Sequence, residues 1–318
     1  MPRVIDCPTE ESIELGDLVE ALETGGFDSA DEENFASWGS ALRKLANNRH
    51  FLADMMMKEL KQRCAGQLKD NQYSAQVVLL HADPRSSFVL RANFWPALKD
   101  SIVRHSGPDP FFYGVPHDHN FSFLTVGYLG PGYWSDYYEY DYGSVVGYPG
   151  EPVNLRFVEK TRLEQGKVML YRAHKDIHLQ LPADAMSVSL NILEASHSSV
   201  FRDQYQFDLE SGTIAEIMTR TSLEPMLGLA AHYGGEEGED LLRNFAASHP
   251  SERVRWAALK AQAAAAGDLD GRIAVIERGT RSDSRLVGAM ARREIGRLEA
   301  ARAWLAGAHL SQQSSSIG

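Results

Sequence analysis

The middle of this 318-residue chain is a series of short strand-forming segments separated by turn residues. Between residues 74 and about 200, segments rich in Val, Leu, Phe and Tyr alternate with turns such as Asp83-Pro84-Arg85-Ser86. Many short strands separated by such turns are typical of a β-sandwich or a β-barrel. We predict strands at about 74–81, 87–94, 117–128, 134–142, 153–160, 167–172 and 186–194.

The sequences on either side of this region predict helices. Between residue 8 and about 70, apolar residues such as Leu15, Leu18 and Leu22 recur at the spacing of one helical face. The chain becomes helical again from about residue 211, where it is rich in Ala. The predicted organisation is a helical segment over 1–72, a β domain over 73–205, a helical region over 211–310 and a disordered tail over 311–318.

Two segments of the C-terminal region look like weak copies of each other. One begins at Ser251 and the other at Ser284, and each continues with an Arg and a helical face of small residues. Copies at this separation resemble HEAT-type helical repeats. Because two copies are too few for a stable solenoid, we expect them to pack on the β domain or on a second subunit.

The composition excludes several classes of protein. Lys and Arg number 32 against 43 Asp and Glu, and the net charge of −11 argues against nucleic acid or an anionic membrane as the main partner. No apolar run approaches the roughly 18 residues of a membrane span, and the N-terminus lacks the apolar core of a signal peptide. Cys7 and Cys64 are too few for a disulfide framework. We therefore predict a reduced, cytoplasmic protein.

The segment Gly114-Val115-Pro116-His117-Asp118-His119 predicts half of a metal site. Residues i and i+2 of an extended chain project to the same side, so that His117 and His119 present two imidazoles side by side. Imidazole is a common ligand for iron, copper, nickel and zinc. His174 and His178 are the candidates for a third ligand, and we favour His178 because it leads directly into an extended stretch.

Two half-motifs built on these histidines resemble those of the cupin barrel. Gly114 with His117 and His119 is similar to the first half-motif, and Gly166, followed by a strand, a turn and His178, is similar to the second. The match looks closest to the thiol dioxygenase branch, the cysteine dioxygenase-like enzymes. The resemblance implies a cupin (jelly-roll) barrel in which three neutral histidines hold Fe(II). By ligand type alone, other divalent transition metals remain open.

The same resemblance implies a role for Arg91, because the family carries an Arg on an earlier strand that holds the substrate carboxylate. Pairing of Arg91 with a core carboxylate is the open alternative. The chain also departs from the family. Leu124 stands where some members have a cross-linked Cys, and residues around Leu193 and Ala195 replace the late His and Tyr. The three-histidine site therefore carries over, whereas a thiol substrate does not.

Two further residues are candidates for the catalytic site. If the chain turns back at Gly130-Pro131-Gly132, Phe123 pairs with about Glu139, which places this carboxylate near the metal. A slip of one residue would point Glu139 to solvent. Tyr138 belongs to a tyrosine-rich stretch of the same hairpin, which fits either an aromatic pocket or ordinary strand packing.

Together, these features predict a mixed α+β protein with a cupin barrel. We predict a non-haem Fe(II) oxygenase that uses O2 on a small carboxylated, amino-acid-like or peptide substrate. Two other functions remain open: a metal-dependent isomerase or lyase, and a non-enzymatic ligand sensor whose C-terminal helices bind a protein or peptide partner. A homodimer is compatible with either.

Overall fold

The structure is a computed structural model that describes residues 1–71, 73–196, 199, 201–219 and 221–314. It divides into two compact units. The first unit contains residues 1–145 and 152–218, and the second contains residues 146–151 and the chain from 219 onward. The protein combines antiparallel sheets with helices and has a C-terminal helical region, as the sequence predicts.

Within the described part of the first unit, the strands form three antiparallel sheets. They are β1 (Arg3–Ile5), β2 (Val77–Ala82), β3 (Phe88–Trp95), β4 (Phe123–Leu129), β5 (Trp134–Glu139), β6 (Arg156–Arg162), β7 (Val168–Tyr171), β8 (Asp176–Gln180), β9 (Ser187–Glu194), β10 (Tyr205–Asp208) and β11 (Thr213–Ile217). One sheet has six strands in the order β1-β7-β4-β9-β3-β2, one has the order β6-β5-β8, and β10 pairs with β11. Each predicted strand corresponds to a strand of the structure whose ends differ by a few residues, except the strand predicted at 117–128. There the regular strand β4 begins only at Phe123.

The helices lie mainly at the two ends of the chain. They are α1 (Leu15–Thr24), α2 (Glu32–Ser37), α3 (Gly39–Asn47), α4 (Phe51–Lys61), α5 (Ala65–Asp70), α6 (Ser101–Ser106), α7 (Leu223–Tyr233), α8 (Gly235–Ser248), α9 (Glu252–Ala265), α10 (Leu269–Gly279) and α11 (Arg285–Ser314). Leu18 and Leu22 of the predicted amphipathic face of α1 are buried in the core.

The six-stranded sheet has two chemically different faces. Successive side chains of a strand point to opposite faces. Leu90 of β3 and Ile192 of β9 pack in one core cluster with residues of the N-terminal helices, such as Leu42 of α3. Arg91 follows Leu90 on β3, and Asn191 precedes Ile192 on β9. Both line a cavity on the other side of the sheet. The N-terminal helices therefore cover the apolar face, and the opposite face keeps polar groups inside the unit.

The predicted hairpin between β4 and β5 is wrong. The neighbours of β4 are β7 and β9, whereas the neighbours of β5 are β6 and β8. Phe123 lies opposite Tyr171 and Leu193, and Glu139 lies opposite Asp176 in a different sheet. The register that placed Glu139 beside Phe123 therefore does not exist.

Glycine explains how the chain passes from one sheet to the other at this point. Gly130 and Gly132 both have positive φ, and a Cβ added to Gly132 would lie 2.0 Å from the carbonyl oxygen of Leu163. Only glycine allows so close an approach of two backbones. The Gly-Pro-Gly sequence therefore makes a crossing between sheets where a hairpin was expected.

The helical unit begins later than the sequence predicts. Residues 213–217 form β11, and the first C-terminal helix starts at Leu223. At the other end, α11 continues to Ser314, so that the first four residues of the predicted tail are helical; residues 315–318 lie outside the described residues. Among the described residues, no helix combines the length and the apolar character that a membrane span needs.

The two similar C-terminal segments both start with a serine that caps a helix. The Ser251 side chain accepts a hydrogen bond from the backbone N–H of Val254 at the start of α9. The Ser284 side chain accepts one from Val287 in the same way at the start of α11. A serine oxygen at this position satisfies a free N–H of the first helical turn. The similarity between the segments therefore has a local cause, and the HEAT-type relationship stays a prediction.

Two glycine substitutions should change the stability of the first unit in opposite directions. A Cβ on Gly127 in β4 would lie 2.1 Å from the carbonyl oxygen of Glu164, so we expect Gly127→Ala to cost about 1–3 kcal/mol. Gly16 is exposed in α1 with nothing within 4 Å of an added Cβ, so Gly16→Ala should gain up to about 1 kcal/mol. Urea unfolding of both variants measures the difference, and shifts of the same sign would contradict this packing.

Candidate metal centre

Three of the predicted histidines meet in the structure. The backbone N–H of His117 donates to the His178 carbonyl at 3.1 Å, and the N–H of His178 donates back to the His117 carbonyl at 3.0 Å. The Nε2 atom of His178 lies 3.1 Å from Nε2 of His117 and 3.1 Å from Nε2 of His119. The residues are 3%, 8% and 2% exposed in the order His117, His119 and His178, and their candidate ligand atoms lie within 4.8 Å of one another.

The segment that carries the first two histidines is extended, although it lies before the regular strand β4. Its residues pair with β8 on one side and with β10 on the other, where the Phe207 N–H donates to the Pro116 carbonyl at 2.9 Å. Asp118 points away from the histidines: its carboxylate accepts hydrogen bonds from the Tyr205 N–H at 2.7 Å and the Tyr140 hydroxyl at 2.5 Å. Asp118 therefore anchors the segment to β10, and His117 and His119 share the other side.

The three imidazoles are neutral at pH 7. Burial lowers the pKa of His117 to about 4. Burial, followed by the proximity of His117 and His178, holds the pKa of His119 well below its usual value. Burial and the proximity of His117 do the same to the pKa of His178. A metal ion binds the neutral form of imidazole, so that no proton has to be displaced at neutral pH.

The protonated nitrogen of His117 can be assigned from its hydrogen bond. Its Nδ1 atom lies 2.8 Å from the Val115 carbonyl oxygen, which can only accept a hydrogen bond. The proton must therefore be on Nδ1, and the Nε2 atom that faces the other histidines carries a free lone pair. In metal-binding histidines, a hydrogen bond of this kind usually fixes the tautomer and the orientation of the ring. The donor set of three neutral nitrogens fits a divalent first-row transition metal.

The histidines lie at a cavity of about 390 Å³. Its walls are mainly aromatic rings and side-chain amides, contributed by Tyr73, Trp95, Phe112, Phe121, Phe123 and Tyr133 and by Gln76, Asn93, Gln180, Asn191 and Gln204. Among the described residues that line it, there is no Asp, Glu, Lys or Cys. The amides were not predicted as site residues, although Asn93 could have been, because it lies two residues from Arg91 on the same face of β3.

Arg91 lies in this cavity with its charge unpaired. The residue is 9% exposed, and none of the ion pairs between described residues involves it. Its side chain has a hydrogen bond with Tyr73, but its Nε atom has no partner. The guanidinium carbon lies 5.0 Å from the ring centroid of Tyr73. The described residues therefore supply no carboxylate partner for Arg91, and such a partner was the alternative that the sequence left open.

Glu139 and Tyr138 are placed away from the histidines. Glu139 contacts the amino group of Met1 and the side chains of Arg156 and Arg172, the last at 3.2 Å. Tyr138 points to the opposite face of β5, where its ring packs against Phe157 at a centroid distance of 5.3 Å. Neither residue lines the cavity. Their sequence-based placement depended on the hairpin that the structure replaces with a crossing between sheets.

His174 also lies outside the three-histidine cluster. Its ring packs on Tyr142 at a centroid distance of 4.0 Å, and its backbone N–H donates to the His119 carbonyl at 2.8 Å. The residue has a φ of 57°, which fits a tight turn after β7. His174 therefore shapes the turn that leads to β8 and supports the backbone of His119.

Comparisons with known proteins give similarity in part of the structure only. No protein-family model matches the sequence, and no curated protein matches it. Among solved structures, hydroquinone 1,2-dioxygenase from a Sphingomonas species aligns over 41% of this chain and 72% of its own, with 8% identity and a TM-score of 0.27. Vicilin from Corylus avellana aligns over 44% of this chain and 34% of its own, with 11% identity and a TM-score of 0.26.

A structure of DMSP lyases aligns with 12% identity and a TM-score of 0.25. The match covers 42% of this chain, which spans about half (52%) of the lyase chain. These three structures are two enzymes of different activity and a vicilin, and at this level of similarity none of them identifies the activity of this protein.

The metal-free protein should lose stability in acid because of the buried histidines. Folding lowers the pKa of His117 from 6.5 to about 4. Its contribution to the free energy of unfolding is therefore complete above pH 6.5 and is lost as the pH falls toward 4. This contribution amounts to about 3 kcal/mol. Asp118 acts in the opposite direction, because burial raises its pKa to about 7. We therefore compare the wild type with His117→Asn. Between pH 6.5 and 4 the free energy of unfolding should fall further in the wild type, and equal slopes would contradict the neutral buried histidine.

Glu139→Gln should affect stability but not metal binding. Burial raises the pKa of Glu139, but the Met1 amino group and Arg156 lower it more, to about 2, so the carboxylate is ionised in the folded protein. Removing its charge should cost about 1–2 kcal/mol, because Arg172 and the Met1 amino group lose a half-buried partner. Denaturation and metal content measure the two effects. If the Glu139→Gln variant lost its bound metal, Glu139 would have to be part of the metal site.

Proposed function

We propose that the first unit is a cupin-like barrel and that the protein is a metal-dependent oxygenase. It would use a divalent transition-metal ion, Fe(II) in the first place, and O2 to oxidise a small carboxylated, amino-acid-like substrate. One observation carries the proposal. Three neutral histidine nitrogens converge at a cavity that holds a buried arginine without a carboxylate partner and, among its described lining residues, no acidic side chain.

His117, His119 and His178 would hold the ion through their Nε2 atoms. When bound, the ion supplies the redox chemistry and the open positions at which substrate and O2 react. The chain's own contribution is to keep the imidazoles neutral, to fix them on paired backbone segments and to surround the reacting groups with apolar rings. Phe121 and Phe123 lie against His119, with ring centroids 5.0 and 4.9 Å away.

The charge of the cavity favours an anionic substrate. Three neutral ligands leave the full positive charge of the ion, and Arg91 adds another. No acidic residue lines the described cavity to balance these charges. A buried guanidinium without a countercharge is costly, and a carboxylate supplies that charge through two parallel hydrogen bonds. We therefore expect the substrate carboxylate to bind Arg91.

The amides near Arg91 favour a substrate that also donates hydrogen bonds. Asn191 lies directly opposite Arg91 across β3 and β9, and Asn93 lies two residues further along β3. The side-chain oxygens of Asn93 and Asn191 are buried without a partner. These oxygens only accept hydrogen bonds, so a substrate ammonium or hydroxyl group beside the carboxylate would satisfy them. An amino-acid-like or hydroxy-acid substrate has this combination.

The same cavity gives little support to proton-transfer chemistry without O2. An isomerase or lyase needs a base that accepts a proton from the substrate. No carboxylate or lysine lines the described cavity, and the three histidines would be engaged with the ion. Burial raises the pKa of Tyr133 well above its usual value, so its hydroxyl keeps its proton at neutral pH. The reaction therefore depends on the ion itself, and O2 uptake distinguishes redox chemistry from proton transfer by an ion-bound hydroxide.

The proposal is tested by metal content and O2 consumption. We expect protein purified anaerobically and loaded with Fe(II) to hold one iron per chain, and His119→Ala and His178→Ala to lose it. With a panel of amino acids, hydroxy acids and thiol carboxylates, O2 uptake should require the substrate carboxylate. Substrate turnover without O2 uptake would favour the isomerase or lyase, and a wild type that binds no metal would overturn the proposal.

Arg91→Met should weaken substrate binding with little effect on iron content. Loss of a buried charge-paired hydrogen bond costs about 2–5 kcal/mol, so we expect KM to rise roughly a hundredfold. Arg104→Met, which changes an exposed arginine of α6, is the control and should leave KM unchanged. An unchanged KM in Arg91→Met would remove Arg91 from the substrate site.

A further inference from the structure

Gln180 lies beside the three histidines and was not predicted as part of the site. It follows His178 by two residues on β8, so the two side chains project from the same face of the strand. Gln180 is 5% exposed and lines the same cavity. Its Nε2 atom lies 3.3 Å from Nε2 of His178, and its Oε1 atom is buried without a hydrogen-bond partner.

The backbone holds Gln180 firmly in this place. Its carbonyl oxygen accepts a hydrogen bond from the Gly114 N–H at 3.0 Å, and it pairs with Ser135 of β5. Gly114 opens the segment that leads to His117. The same strand pairing that brings His178 to the other histidines therefore also fixes Gln180.

The present orientation of the amide conflicts with metal binding at His178. An ion bound by the three histidines would use the Nε2 lone pair of His178, and the Gln180 N–H group would then lose its acceptor. The Gln180 oxygen has no partner either. Oxygen and NH2 of an amide are nearly equal in shape, so rotation of the terminal torsion exchanges them at little cost. The oxygen would then face the ion, and both conflicts would disappear.

We propose that Gln180 is a fourth protein group of the metal centre and that its side-chain oxygen binds the ion with His117, His119 and His178. The inference rests on the proposed metal site and adds a ligand to it. A neutral amide oxygen is a suitable donor for a divalent cation and does not reduce the positive charge of the cavity. The site would then hold its ion with four neutral groups and leave the remaining positions to the anionic substrate.

Binding of Co(II) alone to the full chain tests the inference without any substrate. Visible absorption reports the donor set, and competition with a chelator gives the affinity. Gln180→Leu should weaken Co(II) binding roughly tenfold or more and change the absorption, because even residues that only support a ligand cost 10–100-fold. Gln180→Glu should bind more tightly than wild type, since a carboxylate replaces a neutral oxygen. Asn191→Leu, which removes another buried amide of the cavity, should bind Co(II) as the wild type does.

The outcomes separate this inference from the proposed function. If Gln180→Leu matches the wild type in affinity and absorption while His119→Ala loses Co(II), Gln180 is not a ligand and the three-histidine site stands. A wild type that fails to bind Co(II) overturns both. If circular dichroism shows that Gln180→Leu is unfolded, Gln180→Glu decides: tighter binding supports the inference, and unchanged or weaker binding overturns it.

Discussion

The reciprocal pair of backbone hydrogen bonds between His117 and His178 is the interaction on which the site depends. It joins two segments that lie 61 residues apart in the chain. Facing residues of an antiparallel pair project to the same side. This one pairing therefore brings the imidazoles of His117, His119 and His178 together and adds Gln180. A slip by a single residue would turn the side chains of one segment to the other side.

The six-stranded sheet supplies the second constraint, because both of its faces are buried. One face packs apolar residues against the N-terminal helices, and the other holds Arg91, Asn93, Thr125 and Asn191, each with a side-chain atom that lacks a partner. Unpaired buried polar groups cost free energy of folding. Proteins accept such costs at functional sites, where a ligand satisfies the groups. The polar face of the sheet and the three histidines therefore line the same binding site.

Local patterns predicted much of this architecture, and long-range pairing accounts for most of what they missed. Strand segments and the turn before β3 follow from residues close in sequence. Which strands become neighbours depends on contacts between distant segments, and the Gly130-Pro131-Gly132 sequence suits a hairpin and a crossing between sheets alike. The placement of Glu139 failed for that reason. His117, His119 and His178 were found because residue type, spacing and extended conformation coincide, whereas Gln180 carries no signal of its own.

Anomalous diffraction at the iron edge, from crystals grown anaerobically with Fe(II), tests the central claim most directly. The account predicts a single strong peak bounded by the Nε2 atoms of His117, His119 and His178. A crystal that contains iron but shows no peak between these atoms, or shows it elsewhere in the first unit, would contradict the claim that the paired segments form a metal centre.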